Sequence, residues 1–492
     1  MGWEDKTAYI NQMIKQGAES KMADLRFLEL EIQKFKNSPI RRDMIIAERY
    51  YQNDHDIMRR KRLVIGEDGE LQEVKNIPNN KITDNQYGKL VDQKTNYLLA
   101  KPITFDTSNE AYADHLKTIF NKRFLRTFRN LGQDAINAGI VWLHPHYDCD
   151  GQLVFRKFAP YEILPFWKDS DHTVLDFAVR IYQVEVYEGE IEKIIEKVEI
   201  YSKQGIRYYV LQNGHLVLDV EKEPITHFIS VQDGKEIPLN WQHIPLIAFK
   251  SNAKEIPLIK RVKSLQDGIN TILSDFQNNM QEDARNTILV LVNYDGQNPG
   301  DFRYNLSKYG VVKVRNDGGG AGGDVKTLEI AVNAENYKAI LSLFKKALIE
   351  NGRGYDAKDD RMANNPNQMN IQSMYSDIDL DANNMETEFQ ASFEELLWFV
   401  NAHLANTGAG DFSNEDVTVV FNRDILINES ESIENCAKST GILSTETIVA
   451  QHPWTVDIKQ ELQRIKKEKQ ENQSEMDEYK QAFPGGVGNE CK

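Results

Sequence analysis

The stretch IKRVKSLQDGINTILSDFQNNMQE, Ile259 to Glu282, decides the fold when read with AENYKAILSLFKKALIEN, Ala334 to Asn351. In the first, Ile259, Val262, Leu265, Ile269, Ile272, Phe276 and Met280 recur at steps of three and four, the period of one helix face. Lys260, Lys263, Asp267, Asn270, Asn278 and Glu282 fall outside that stripe. In the second, Ala334, Tyr337, Leu341, Phe344 and Leu348 share one side, with Ile340 at its margin and Lys338, Lys345 and Lys346 off it. Between the two lies a β-rich polar insert with a glycine-rich centre: Asn316, Asp317, Gly318, Gly319, Gly320, Gly322 and Gly323. Two amphipathic helices joined by a long excursion can pack antiparallel. They would serve equally as a hairpin in a globular core or as a repeated wall element of an oligomeric ring.

Working outward to the N-terminal side, residues 4–36 carry a helical apolar pattern that ends at Asn37-Ser38-Pro39. Ser38 is placed to cap the next helix, with Pro39 in its first turn. That helix is expected from Ile40 to Arg60, and the basic run Arg59, Arg60, Lys61, Arg62 follows. Such a run is either a nucleic-acid patch or a solvated terminus that complements the helix dipole. A further helix holds Asn85, Tyr87, Leu90, Val91, Tyr97 and Leu98 and stops before Pro102. Another is expected from Ala111 to Gly139. From Ile140 to Phe249 the period shortens to β-like runs, with turn signals at Asp150-Gly151 and Asn213-Gly214. The sequence predicts an α+β fold with a mainly antiparallel sheet. On the C-terminal side, Gly352 to Ile371 is polar and reads as an exposed loop. A long helix follows, with Met374, Ile378, Met385, Phe389, Phe393, Leu396, Val400 and Leu404. Val417 to Ile427 reads as a strand, Glu429 to about Phe483 as helical, and Pro484 to Lys492 as a disordered tail.

The 492 residues allow several domains and an ample core. No apolar run approaches the ~20 residues of a membrane span, and Met1 to Lys6 lacks the pattern of a signal peptide. Cys149, Cys436 and Cys491 lie far apart and suggest a reducing compartment. A formal net charge of −16 argues against tight, static nucleic-acid binding. It leaves room for a protein that surrounds DNA loosely, because an acidic channel repels phosphate and lets it slide.

Chemistry has few candidates. His144 and His146 would share one face of a strand with Asp148 close by, the makings of a metal site. The segment runs straight into the Asp150-Gly151 turn, which suits a polar hairpin face equally. Asp377, Asp379, Asp381 and Glu388 match four positions of a calcium loop, but Ala382 stands where its glycine belongs and the segment continues a helical stripe. The glycines at 318–323 lack the Gly-Lys-Ser/Thr ending of a phosphate loop. Nothing nominates a nucleophile with its base, so the residues argue against an enzyme. Lys338, Lys345 and Lys346, with Arg353, Lys358 and Arg361 after them, form a basic interlude in an acidic chain. By itself such an interlude is a solvated face; repeated around a ring it would supply rings of weak phosphate contacts.

Asn80-Lys81-Ile82, Asn85, Val91-Asp92-Gln93-Lys94 and Tyr97-Leu98-Leu99-Ala100-Lys101-Pro102, preceded by Tyr50-Tyr51 and His55-Asp56-Ile57, form an ordered set. Later come Ile244-Pro245-Leu246-Ile247 with Phe249, Lys250 and Asn252, then Asp267, Ser274-Asp275 and Asn278. Near the end come Gly441-Ile442-Leu443-Ser444-Thr445-Glu446-Thr447, Pro453, Asp457, Glu461 and Ile465. In this order, across most of its length, the chain resembles the portal proteins of tailed bacteriophages, of the type common in siphophages of Gram-positive hosts. Ala100 replaces a usual glycine, and Ser251 a common asparagine.

The resemblance implies a multi-domain subunit: N-terminal helix (1–38), mixed α/β wing (39–255), stem helices (256–284 and 333–351) and a small β-containing clip between them (285–332). A tunnel loop (352–372), a wing spine helix with a returning strand (373–425), an α-helical crown (426–483) and a tail (484–492) complete it. It implies a dodecameric ring at one capsid vertex, assembled in the bacterial cytoplasm and carried in the virion. Double-stranded DNA would pass through it during packaging and ejection. The clip, with Asn316, Asp317, Gly318, Gly319 and Gly320 at its centre, would meet the terminase large subunit and later a head-completion connector protein. Capsid and scaffolding proteins are further implied partners; no membrane and no cofactor is. The DNA-facing candidates become Lys338, Lys345, Lys346, Arg353, Lys358, Arg361, Asn364, Asn365, Asn367 and Gln368. Neutralising Lys345 and Lys346 is expected to affect packaging more than ring assembly. The rival readings are a metal-dependent hydrolase using His144, His146 and Asp148, and a structural adaptor without a channel.

Overall fold

Asn37 closes one helix and Ser38 opens the next. The computed structural model describes Met22 and residues 24–65, 70–73, 78–189, 191–220, 222, 225–232, 234–282, 288–292, 324–328, 334–356, 368–423, 429–455 and 458–482. Helix α1 (Leu25–Lys36) gives way to α2 (Pro39–Tyr51), whose Arg41 N–H donates to Ser38 Oγ at 3.2 Å. Helix α2 ends short of the expected Arg60, because Asn53 takes a left-handed conformation (φ 66°) that asparagine tolerates and a helix does not. A short 3₁₀ turn follows (Asp56–Arg59). Strands β1 (Leu63–Ile65) and β2 (Leu71–Glu73) pair antiparallel, and α3 (Gln86–Leu99) starts on an Asn85 cap. After β3 (Thr104–Asp106), the helix expected from Ala111 to Gly139 is two, α4 (Glu110–Ile119) and α5 (Lys122–Ala138). Asn121 separates them: its side chain accepts the N–H groups of Arg123 and Phe124, a role asparagine prefers to a helix interior.

The β-like runs form antiparallel pairs throughout. Strands β4 (Ile140–Tyr147) and β5 (Leu153–Phe158) make the hairpin across Asp150-Gly151. Strands β6 (Ile163–Trp167), β7 (Leu175–Glu188), β8 (Ile191–Ser202), β9 (Gly205–Gln212) and β10 (His215–Leu218) form a sheet in the order 10-9-8-7-6. Asn213 and Gly214, both at positive φ, make the tight turn between β9 and β10. Strands β11 (Phe228–Gln232) and β12 (Lys235–Leu239) form a ribbon, and β13 (Ile247–Lys250) returns beside β4.

Helix α6 (Ile259–Glu282) leads to β14 (Ile288–Val292), which pairs antiparallel with β15 (Asp324–Leu328) before α7 (Ala334–Asn351). The long helix α8 runs Gln368–Asn406, opening ahead of the expected 373. Strand β16 (Thr418–Val420) pairs with β3; of the strand expected to run on to Ile427, residues 421–423 lie in no strand and 424–427 lie outside the described residues. Helices α9 (Glu429–Lys438), α10 (Thr445–Gln451) and α11 (Ile458–Ala482) close the described chain. The expected helix over 4–36 is described only as α1, and the tail from Pro484 lies outside the described residues.

The chain falls into two compact units, Met1–Gly354 with Asp377–Asp424, and Tyr355–Ser376 with Ile425–Lys492. The first is cored by rings: Phe128 of α5 meets Phe249 of β13 and Phe389 and Phe393 of α8 edge-on, at 5.2–5.9 Å. All four are essentially buried, each contributing roughly 1.5–3 kcal/mol. In the second, Cys436 and Val449 are the buried residues of α9 and α10.

Candidate nucleic-acid interface

Helices α6 and α7 pack antiparallel. A Cβ added to Gly268 would lie 2.5 Å from the Phe344 ring, so glycine permits the close approach. Farther along, Phe276 meets Tyr337 at 5.1 Å, and Asn279 Nδ2 donates to Tyr337 Oη at 3.0 Å. Tyr337, Leu341, Phe344 and Leu348 thus face the partner helix or its margins, as their period predicts.

Periodicity misplaces the other side of α6. Gln266, Asn270, Ser274 and Asn278, each four residues from the next, are fully buried. They face the extended chain that precedes α3. Asn278 Oδ1 accepts Asn80 N–H at 2.7 Å, Ser274 Oγ accepts Ile82 N–H at 3.0 Å, and Asn270 Oδ1 accepts Asp84 N–H at 3.0 Å. Gln266 Oε1 accepts Tyr87 N–H at 2.9 Å while its Nε2 donates to the Asp84 carbonyl at 2.8 Å. The reason is geometric: two residues of extended chain rise ~6.6 Å and one four-residue helix step ~6.0 Å, so alternate N–H groups meet successive side chains. Asn270 Nδ2 also donates to His55 Nδ1 at 2.7 Å, and His55 Nε2–H donates to the Tyr50 carbonyl at 3.0 Å. Burial lowers the His55 pKa and keeps this ring neutral.

The basic run after α2 divides: Arg59, in the last turn of the 3₁₀ helix, and Lys61 stay largely exposed, while Arg60 and Arg62 are mostly covered. Arg59 pairs with Asp54, Arg60 and Arg62 with Asp275 of α6, and Lys61 with Glu73. Beside it, Lys263 bridges Asp56 and Asp267 at 2.7 Å each, and Tyr50 Oη donates to Asp267. Burial opposes ionisation of Asp56, but Lys263 and Arg49 override it and hold its pKa at about 2.

At the other end of the hairpin, Asp381 of α8 is clasped by three cations: Lys94 of α3 at 2.7 Å, Arg261 of α6 at 2.9 Å and Arg353 at 2.7 Å. Burial acts to raise its pKa; the three cations, Lys94 first, hold it below the usual carboxylate range. Arg353 follows α7 in a left-handed conformation, φ 51°, normally a glycine position. Its ion pair offsets that strain. A Cβ on Gly352 or Gly354 would collide with Leu90 of α3, at 2.2 and 2.5 Å, so the chain leaving α7 is pressed against α3.

The expected DNA-facing residues therefore divide. Lys338 and Lys346 are exposed on α7, Lys346 with only a distant contact to Glu350 at 4.0 Å. Lys345 is half-buried and pairs with Asp84 at 2.6 Å, and Arg353 is held on Asp381. Gln368 lies in the first turn of α8, its backbone N–H donating to Glu431 at 3.1 Å. Lys358, Arg361, Asn364, Asn365 and Asn367 lie outside the described residues, as do Asn316, Asp317, Gly318, Gly319 and Gly320.

The metal candidates are occupied otherwise. His144 and His146 do share a strand face, with rings stacked at 5.1 Å. His144 is held to the Pro245 carbonyl at 2.5 Å, and burial lowers its pKa to about 3. Asp148 accepts the N–H groups of Asp150 and Gln152 in the hairpin turn. Asp379 binds Tyr97 and Arg423, and Asp381 binds its three cations. No group of three or more potential ligands that could hold a metal is found among the described residues.

Known sequences match most of the length of this chain. The phage portal protein family described as SPP1 Gp6-like matches residues 37–475. The chain belongs to that family. It is 28% identical over 470 residues to the portal protein of Bacillus phage SPP1, covering 94% of this chain and 90% of the relative. It is also 28% identical over 431 residues to the portal protein of Clostridium phage phiCD119, covering 85% and 91%. Portal proteins are structural components of the phage capsid, forming an oligomeric ring that serves DNA packaging and the head–tail connection, and the chain carries that role.

Proposed function

We propose that twelve copies form the ring, with α6 and α7 as its stem, the segment around β14 and β15 as its clip, and residues 352–367 as a loop directed at DNA. The observation that carries this reading is the division of α7 into three faces. One packs on α6. A second exposes Ile340 and Leu343, at 43% and 65%, surface that calls for a neighbouring subunit. A third carries Lys338, Ser342 and Lys346, with exposed ammonium groups suited to weak phosphate contacts. Twelvefold repetition would turn two lysines per copy into cationic rings in an otherwise acidic channel. DNA would be guided without being held, and every contact would be blind to sequence.

The clip would dock the terminase large subunit during packaging and a head-completion connector afterwards. Capsid and scaffolding proteins would meet the outer part of the ring, and assembly would take place in the host cytoplasm. The chain itself catalyses nothing in this reading; the motor's ATP chemistry belongs to the terminase. Negative-stain microscopy of the purified chain tests it: end-on views should show rings with a central hole. Compact particles without a hole, at every protein and salt concentration tried, would defeat it.

A further inference from the structure

A ring built from one chain needs two different surfaces that fit each other, because each copy meets the next head to tail. The first unit carries an exposed cationic surface and, lining a cleft, an acidic face of α8. Lys122, Arg123 and Arg126 project from the start of α5, all exposed. None makes an ion pair with any described residue. Lys122 and Arg123 occupy the helix's first turn, where no acid offsets them and the helix dipole disfavours positive charge. Such a placement favours an acidic partner from outside.

The acidic surface is a cleft of about 920 Å³ beside α8. Glu388, Glu394 and Glu395 line its helical wall, and Trp142, Trp167 and Trp398 line it with ring faces and edges. Lys250, on a strand, is tied to Glu255 at 3.1 Å; the cleft's other lysines, Lys203 and Lys254, also come from outside α8. Glu395 has no ion-pair partner among the described residues, and burial alone pushes its carboxyl up to about 7. The indoles are packed within the chain: Trp167 stacks on Trp142 and His172, and Trp398 on His243. A planar guanidinium matches the carboxylates of this wall, since its fork of N–H donors pairs with them.

The two surfaces open in different directions. Helix α5 turns Phe128 onto Phe389 and Phe393 of α8. Glu388 and Glu395 lie roughly 100–120° around α8 from Phe389. A chain cannot fill its own cleft with its own arginines across that core; a second copy can.

We propose that Lys122, Arg123 and Arg126 of one copy dock in the acid-and-tryptophan cleft of the next copy around the ring. This rests on the ring reading above. The test is a pair of charge swaps in the full chain: Arg123→Glu with Arg126→Glu, and Glu394→Lys with Glu395→Lys. Ring fraction is read by native mass spectrometry at a concentration where the unaltered chain is half assembled, with circular dichroism as the folding check. Each swap alone should lower the ring fraction at least tenfold. Combining both in one chain, or mixing the two swapped chains, should restore it to within threefold. Rings that ignore both swaps, or losses that neither combination restores, overturn the proposal. So does a patch swap that weakens duplex binding while rings persist, which would assign the arginines to phosphate.

Should a swapped chain misfold, Arg126→Cys with Glu394→Cys, in a Cys149→Ser background, gives an independent readout. Oxidation of its rings should yield a ladder of covalent oligomers, and rings without a ladder overturn the docking. An unaltered chain that forms no rings overturns the ring reading itself, a result distinct from rings that disregard the swaps.

Discussion

Along α6, four polar side chains are fully buried, and Lys260, Arg261 and Lys263 each meet an acid: Asp43, Asp381, and Asp56 with Asp267. Along α7, only Leu348 is buried, Leu343 is 65% exposed, and Lys338 and Lys346 stand in the open. The helices belong to one hairpin and have similar apolar periods. The first is committed to its own chain; the second keeps two of its faces available. Amphipathicity finds both helices, and only the occupancy of their polar groups distinguishes an anchor from a lining element.

The largest effect should come from breaking the anchor. Asn270→Ala leaves the Asp84 N–H, the His55 ring and a Gln266 donor without their shared partner. We expect a loss of about 3–4 kcal/mol, read as a fall in the unfolding temperature of the full chain by calorimetry. An unchanged temperature would mean that the ladder adds nothing to stability.

Next comes Asp381→Asn, which strands the buried Lys94 and two arginines, at about 2–3 kcal/mol near neutral pH. The sign with pH follows from the lowered carboxyl. Its contribution is complete above the unfolded value of about 3.8 and disappears as pH falls through the still lower folded value. Urea denaturation of the two proteins should therefore differ at pH 7 and converge well below pH 4. A gap that persisted there would argue against an ionic origin.

Lysines of α7 should sharpen the comparison through smaller effects. Lys345→Ala should cost about 0.5–1 kcal/mol by releasing Asp84. Lys338→Ala with Lys346→Ala should change stability by less than ~0.5 kcal/mol and leave rings intact. That double change should make the salt dependence of duplex binding shallower, as fewer phosphates are neutralised. The single and double variants thus replace joint neutralisation of Lys345 and Lys346, which would mix a structural pair with an exposed charge.

Helix periods and turn pairs such as Asp150-Gly151 and Asn213-Gly214 made most elements legible, because burial of apolar stripes and positive φ leave strong marks in sequence. The breaks at Asn53 and Asn121 were missed: apolar periodicity continues across them, and a capping side chain is one residue with a local effect. Asn270 and Asn278 were harder still. A polar residue facing bare backbone N–H groups looks, in sequence, like one facing water. The four-residue spacing of Gln266, Asn270, Ser274 and Asn278 was the available signal, and Asn80 and Ile82 carry no complementary mark. The ion pairs of the basic run at 59–62 were hidden for the same reason, since its acids Asp54, Glu73 and Asp275 are scattered along the chain.

The ladder on α6 also behaves as a vernier. Its two scales, ~6.6 Å on the extended chain and ~6.0 Å on the helix, drift apart by ~0.6 Å at each rung. Across the three rungs at Asn278, Ser274 and Asn270 that is ~1.2 Å, which the side chains absorb; a fourth at the same spacing would be out by close to 2 Å, more than a hydrogen bond tolerates. The marks can therefore coincide only over a short span and at one setting, and beyond Asp84 the extended scale stops as the chain turns into α3. A helix gripped in this way has no small axial slip open to it. Axial load on α6 is therefore shared with the segment at 80–87 and onward with α3, and yielding falls to parts of the chain without such a scale.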